Sequence, residues 1–208
     1  IAAMEGAKID SPRGPISFSK SHNVVQNIYL REVRNGRNEY VSVAHANHSK
    51  SQRGVVRGVH YTTTPPGVAK YVYCARGKAL DIVVDIRVGS PTFGKWDASV
   101  LDQVDFRAMY LPVGVGHAFV AFDDETVMSY MLSESYVPHL EVAVNVLDSA
   151  LGLPIPDDIE PLLSDRDIAA PTLAVAQAEG RLPLYTDCLE LEAQARAAAA
   201  VRKTAGSH

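Results

Sequence analysis

The chain has little cysteine: Cys74 and Cys188 are the only two in 208 residues, far apart and without the close spacing of metal ligands. That excludes a disulfide-stapled secreted scaffold and fits a reducing cytoplasm. It also lacks an excess of positive charge, with 20 Lys and Arg against 24 Asp and Glu and a formal net charge of -4. A broad attraction for nucleic acid or an anionic membrane surface is therefore not expected, and any phosphate site must be local. No uninterrupted apolar run approaches the roughly 18 residues of a membrane span. No basic-then-apolar segment opens the chain as a signal peptide does. These absences together predict a soluble, cytoplasmic protein.

What is present is enough apolar material, 47% of residues, to bury a sizeable core in one domain spanning 1–208. Between Val41 and Val146, short runs rich in Val, Ile, Tyr and Phe alternate with clusters of Gly, Pro, Asp and Ser, the pattern of an antiparallel sandwich or barrel. Strands are predicted at Val41–His48, Gly54–His60, Val68–Ala75, Ala79–Arg87, Arg107–Leu111, His117–Phe122, Thr126–Leu132 and Leu140–Val146. Within Ala79–Arg87, Leu80, Ile82, Val84 and Ile86 alternate with Asp81, Val83 and Asp85, which predicts one buried face. Pro65-Pro66-Gly67 and Gly89-Ser90-Pro91 supply chain reversals. After Leu151 the texture changes. Pro154 and Pro156 open a loop, and Leu173–Glu179 and Cys188–Val201 read as helices on Ala, Leu, Glu and Gln content. The expected architecture is a β body at about 41–148 with a helical tail at about 157–203.

Chemistry concentrates in two stretches. In Arg53–Tyr61 and the following Ala69-Lys70-Tyr71, Arg57 and Lys70 supply cations and His60 a titratable base. A histidine accepts protons near neutrality, an arginine fork suits phosphate oxygens, and a lysine can sit beside a developing oxyanion. The kit fits proton abstraction next to a carbonyl. Arg57 and His60 lie three apart, so a regular strand sends them to opposite faces; a bulge or strand end is needed if both line one pocket. Each residue also has a plainer reading. His60 alone reads as a structural histidine, Tyr130 between Met128 and Leu132 as a core tyrosine, and Asp167 as a helix N-cap. Arg87 and Lys95 read as surface or subunit-contact charges, and Cys74 as a buried small hydrophobe.

The second stretch, Pro112-Val113-Gly114-Val115-Gly116-His117, has the P-x-G-x-x-H form of the second cupin motif and resembles the turn that delivers a histidine to a barrel mouth. The first cupin motif normally supplies His-x-His and a Glu. Here Tyr61 and Thr62 follow His60, and Lys70 stands where a carboxylate belongs. A transition-metal site is poorly supplied, and the sequence reads as a cupin, a double-stranded β-helix or jelly-roll barrel, without a metal.

Arg53–Tyr61, Ala69-Lys70, Val84–Trp96, Leu111–Phe119 and Ser164–Pro171, taken in order, resemble the dTDP-4-dehydrorhamnose 3,5-epimerase family, in particular the epimerases of antibiotic deoxysugar pathways such as the vancosamine type. The resemblance covers Asn47 to about Pro171. It implies inversion at C5, C3 or both on a dTDP-linked 4-keto-6-deoxyhexose, without cofactor or metal, in a homodimer. It implies a base at His60 held by Asp167, a second proton carrier at Tyr130, and enolate stabilisation by Lys70. It assigns phosphate contacts to Arg57 and Arg13, and pocket-lining positions to Asn47 and His117. His45 stands where the family usually has Gln, Ile155-Pro156 where it has Trp-Pro, and Ser11-Pro12 before Arg13 where an acidic residue is usual. A non-catalytic sugar-nucleotide-binding cupin is the alternative from another class. A metal-dependent cupin oxygenase or isomerase is the third.

Overall fold

The computed structural model describes residues 9–11, 14–18, 24–25, 29–34 and 37–205, with side-chain environments from 43 to 198. The chain divides into two compact units, Ile1–Val43 with Ala193–His208, and Ala44–Glu192. The described part of the first contains β1 (Ile9–Ser11), β2 (Gly14–Phe18) and β3 (Val24–Val25) in one antiparallel sheet, and a hairpin of β4 (Tyr29–Arg34) with β5 (Arg37–Ser42). Arg13 lies outside the described residues.

The second unit is the barrel. Its strands are β6 (His45–Ser51), β7 (Val56–Thr62), β8 (Lys70–Arg76), β9 (Lys78–Val84), β10 (Trp96–Asp102), β11 (Ala108–Leu111), β12 (Gly116–Ala121), β13 (Thr126–Leu132) and β14 (Glu141–Ala143). They form a five-stranded sheet in the order β10-β9-β12-β7-β14 and a four-stranded sheet in the order β11-β8-β13-β6, all antiparallel. Apart from the β9–β10 hairpin, sequence neighbours thus alternate between sheets, the crossed connectivity of a jelly roll. Three helices follow, α1 (Asp165–Ile168), α2 (Leu173–Ala178) and α3 (Tyr185–Ala205).

Two apolar clusters hold the unit together. One, with Val72, Cys74, Leu101, Leu111, Phe119 and Met128, fills the space between the sheets. The other lies on the far side of the five-stranded sheet, where Val59, Ile82, Val84 and Val120 meet Val146, Leu151, Ile159, Ala176 and Leu182 of the C-terminal segment. Each Val, Leu, Ile, Phe or Met side chain among them, when fully buried, contributes about 1.5–3 kcal/mol. The tail is therefore a cover for one sheet. With the tail on one face and the barrel interior on the other, β12 from Gly116 to Ala121 has no exposed residue.

This cover corrects the expectation of one buried face on Ala79–Arg87. Leu80, Ile82 and Val84 point to the tail, and Asp81 on the other face is fully buried inside the barrel. Arg87 is likewise no surface charge: its side chain is 13% exposed, pairs with Asp85 at 2.8 Å and lies over the Tyr185 ring. Asp85 also accepts from Ser90 and Thr92 at 2.6 Å each, so the conspicuous Val84–Trp96 block is built around a hydrogen-bonded turn. Strand β10 escapes prediction because it is an edge strand with three polar or charged positions and no clean alternation. The predicted strand Val41–His48 is interrupted at Val43–Ala44, between β5 and β6. Leu140–Val146 is reduced to the three residues of β14, preceded by a 3-10 turn at Pro138–Leu140. Helix α3 begins at Tyr185, earlier than the predicted Cys188.

Candidate active site

Strand β7 carries the central irregularity. His60 pairs with His117 and Arg57 with Phe119 across β7 and β12, so three steps on one strand oppose two on the other. This is the bulge that Arg57 and His60 required, and both now line the same cavity. Gly58 makes it possible. Its φ is 126°, and a Cβ there would meet the Cα and Cβ of Ala118 and the carbonyl of His117 at 2.5–2.6 Å.

The cavity, of about 290 Å³, opens between the two sheets. From the five-stranded sheet it receives Arg57, His60, His117, Phe119 and Glu141; from the four-stranded sheet, Asn47, Ser49, Lys70 and Tyr130. Tyr136 and Arg166 also line it. Strand β6 presents His45, Asn47, Ser49 and Ser51 on its more buried face, a polar row that a closed apolar core would not tolerate but a ligand cavity uses.

Among the described residues, His60 is one of two histidines backed by an aspartate. Its Nε2 lies 2.6 Å from Asp167 Oδ1, with the imidazole 27% and the carboxylate 3% exposed. The carboxylate accepts a hydrogen bond from Nε2–H, the tautomer that leaves Nδ1 as the basic nitrogen. Burial pushes the Asp167 carboxyl up, and the hydrogen bond and charge of His60, with Ser164 and Arg166, pull it down further, leaving it below the ordinary aspartate range. Asp167 does not cap α1. Ser164 does, accepting from the Asp167 amide at 3.2 Å, which places the Asp167 side chain one turn inside the helix and aimed at β7.

The second pair was not foreseen. His117 Nε2 lies 2.7 Å from Asp81 Oδ2, with side-chain exposures of 6% and 0%. Alternation alone places Asp81 on an outward face, and only the closure of the barrel turns it into the partner of His117. The His117 ring then meets the Tyr130 ring edge-on at 6.0 Å between centroids. Tyr130 reaches Ser49 Oγ at 3.4 Å. Burial raises its hydroxyl pKa well above the ordinary phenol value, against smaller downward effects of Ser49 and Arg57, so the phenol keeps its proton at neutrality.

Lys70 is buried at 8% exposure, and burial pulls its ammonium below the ordinary lysine value. Its ion-pair partner is Glu141 at 3.7 Å. Arg57 donates to Ser51 Oγ at 3.3 Å and to the Lys50 carbonyl at 3.4 Å, and among the described residues no carboxylate pairs with it. Among the described residues no three His, Cys, Asp or Glu side chains come together as a metal site. No helix among them is long and apolar enough to cross a membrane.

The structure thus brings together His60, Asp167, Lys70, Tyr130, Arg57, Asn47 and His117. Sequence reasoning missed Asp81, Glu141, Ser49 and Arg166 as neighbours of that set. A jelly-roll barrel of this kind, with an aspartate-backed histidine and a protonated tyrosine on facing walls of one cavity, defines the class: a cupin-type isomerase.

The model of the family described as dTDP-4-dehydrorhamnose 3,5-epimerase matches residues 15–175. A dTDP-4-dehydro-6-deoxyglucose 3-epimerase of Streptomyces bikiniensis is 52% identical over 143 residues, 69% of this chain and 73% of that protein. A dTDP-4-dehydrorhamnose 3,5-epimerase of Mycolicibacterium smegmatis is 53% identical over 143 residues, 69% and 70% of the two chains. Among solved structures, ChmJ, a 3'-monoepimerase from Streptomyces bikiniensis in complex with dTDP-quinovose, superimposes with a TM-score of 0.73 at 42% identity, covering 82% of this chain and 93% of that one. The chain belongs to the dTDP-4-dehydrorhamnose 3,5-epimerase family.

Proposed function

We propose that the protein inverts C3, C5 or both of a dTDP-linked 4-keto-6-deoxyhexose in deoxysugar biosynthesis, with His60 as base and Tyr130 as the acid on the opposite wall. The observation that carries this reading is the pairing across one cavity of an aspartate-held imidazole, whose Nδ1 is left basic, with a phenol that burial keeps protonated. His60 Nδ1 takes the proton from the carbon beside the ketone, and the C–H electrons pass into an enolate. Lys70 stabilises the enolate oxygen. The Tyr130 O–H gives its proton to the same carbon from the other face; His60 then loses a proton to solvent, and Tyr130 regains one. No net proton or electron is consumed.

Arg57 holds the pyrophosphate, with Arg13 as a second contact, and Asn47 and His117 line the sugar. The reading extends to one functional domain, a homodimer and a cytoplasmic setting, as the family resemblance implies. A non-catalytic binder has no use for a base and an acid on facing walls. Incubation with dTDP-4-keto-6-deoxyglucose in heavy water tests the reading: deuterium is expected at C3, at C5 or at both by NMR, and its absence from both positions overturns it.

A further inference from the structure

Glu141 has no part in the mechanism above, yet its position is strongly specified. It pairs with Thr62 across β14 and β7, while Ala143 pairs with His60, so Glu141 stands on the cavity side two steps from the base. Thr62 Oγ1 donates to Glu141 Oε1, which leaves Oε2 for the Lys70 ammonium 3.7 Å away. Lys70 belongs to the other sheet, where its register neighbours are Leu111 on β11 and Leu132 on β13, neither of them titratable. The ion pair therefore bridges the two walls. Its side chains are 10% and 11% exposed, a setting in which a lone ammonium is costly and a partner is required. At 3.7 Å the pair is looser than a direct hydrogen bond, so the three ammonium donors are not consumed by Glu141.

We propose that Glu141, fixed by Thr62, is a positioning residue that holds the Lys70 ammonium across the cavity where the enolate oxygen forms. The role of Lys70 in this statement rests on the epimerase reading; the pairing itself does not. The charged groups around Lys70 are Glu141 from β14 and Arg166 from α1, with His60 and Tyr130 lining the same cavity. Glu141 favours the ammonium, while burial and Arg166 oppose it. Removing the Glu141 charge leaves only the opposing influences, and Lys70 then loses its proton at lower pH.

Glu141→Gln is expected to lower kcat by about 10²-fold, the scale of a misplaced catalytic group, with KM unchanged and the basic limb of the kcat profile moved to lower pH. The Lys70 Cε resonance, assigned by its loss in Lys70→Arg, is expected to titrate at lower pH in Glu141→Gln than in the parent. Thr62→Val keeps both charges, frees Glu141, and is expected to move the same resonance and kcat in the same directions by less, so the idea stays testable if Glu141→Gln does not fold. An unmoved Lys70 titration overturns the proposal, as does a raised KM at parental kcat, the sign of Glu141 binding substrate directly. If the parent itself exchanges no deuterium, the epimerase reading fails, and the Lys70 titration still decides the pairing.

Discussion

The two aspartate-backed histidines differ in how the chain assembles them. His117 and Asp81 belong to neighbouring strands of one sheet, 36 residues apart, and both are all but inaccessible. His60 and Asp167 come from the barrel and the tail, 107 residues apart, and the imidazole keeps 27% of its surface open to the cavity. A buried pair inside a sheet is fixed by the same hydrogen bonds that build the barrel. A pair made between a strand and a short helix depends on the tail docking against β7, with Ser164 setting the first turn of α1. Under the proposed mechanism exposure separates their tasks: an imidazole that must meet a carbon acid needs an open Nδ1, whereas one that braces Tyr130 does not.

The largest expected effect breaks the symmetry between the pairs directly. His60→Ala is expected to abolish both solvent exchange and inversion, a loss of about 10²–10⁴-fold for removal of a general base. Tyr130→Phe keeps the ring against His117 and is expected to lose inversion while retaining some exchange, because His60 can still form the enolate and return the proton on the same face. Heavy-water NMR on both variants reads the two outcomes, and parental exchange in His60→Ala removes it as the base.

The second test asks which pair the fold depends on. His117→Ala leaves the fully buried Asp81 carboxylate without its partner, and Asp81 Oδ1 already has no hydrogen-bond partner among the described residues. Breaking such a pair costs about 3–5 kcal/mol. His60→Ala leaves Asp167 beside a cavity open to water and is expected to cost much less. Denaturant midpoints of the two variants give the order, and equal losses would dissolve the distinction between a structural and a reactive histidine.

The difference in assembly also explains what the sequence disclosed. The strands that carry His60, Lys70, His117 and Tyr130 follow from alternation and turn residues, and the bulge near Gly58 follows from the three-residue spacing of Arg57 and His60. Asp81 was hidden because a carboxylate alternating with Leu80 and Ile82 looks solvent-facing until the sheet is known to be covered on both sides. Glu141 was hidden for another reason. Its neighbour Lys70 lies 71 positions away on the opposite sheet, and no local pattern encodes a contact between sheets. Arg87 misled because its partners, Asp85 and Tyr185, become visible only when the turn closes and the tail returns.

The smallest expected effect sharpens the comparison through pH. The Asp167 carboxyl is held below its ordinary value in the folded protein, so in the unfolded chain it binds a proton more readily. Its contribution to stability is then fully present above the unfolded pKa of about 3.9 and is lost as pH falls through the lower folded value. Asp167→Asn removes the titrating group, so the stability gap between parent and variant is expected to be present at about pH 5 and to close below pH 4. Urea midpoints at several pH values measure that gap, and taking the difference cancels the carboxylates common to both proteins. A gap that persists unchanged in acid would mean that Asp167 contributes by shape and packing rather than by charge. His60 would then be oriented without the carboxylate's help, and the strand-to-helix pair would lose the feature that sets it apart from the one inside the sheet.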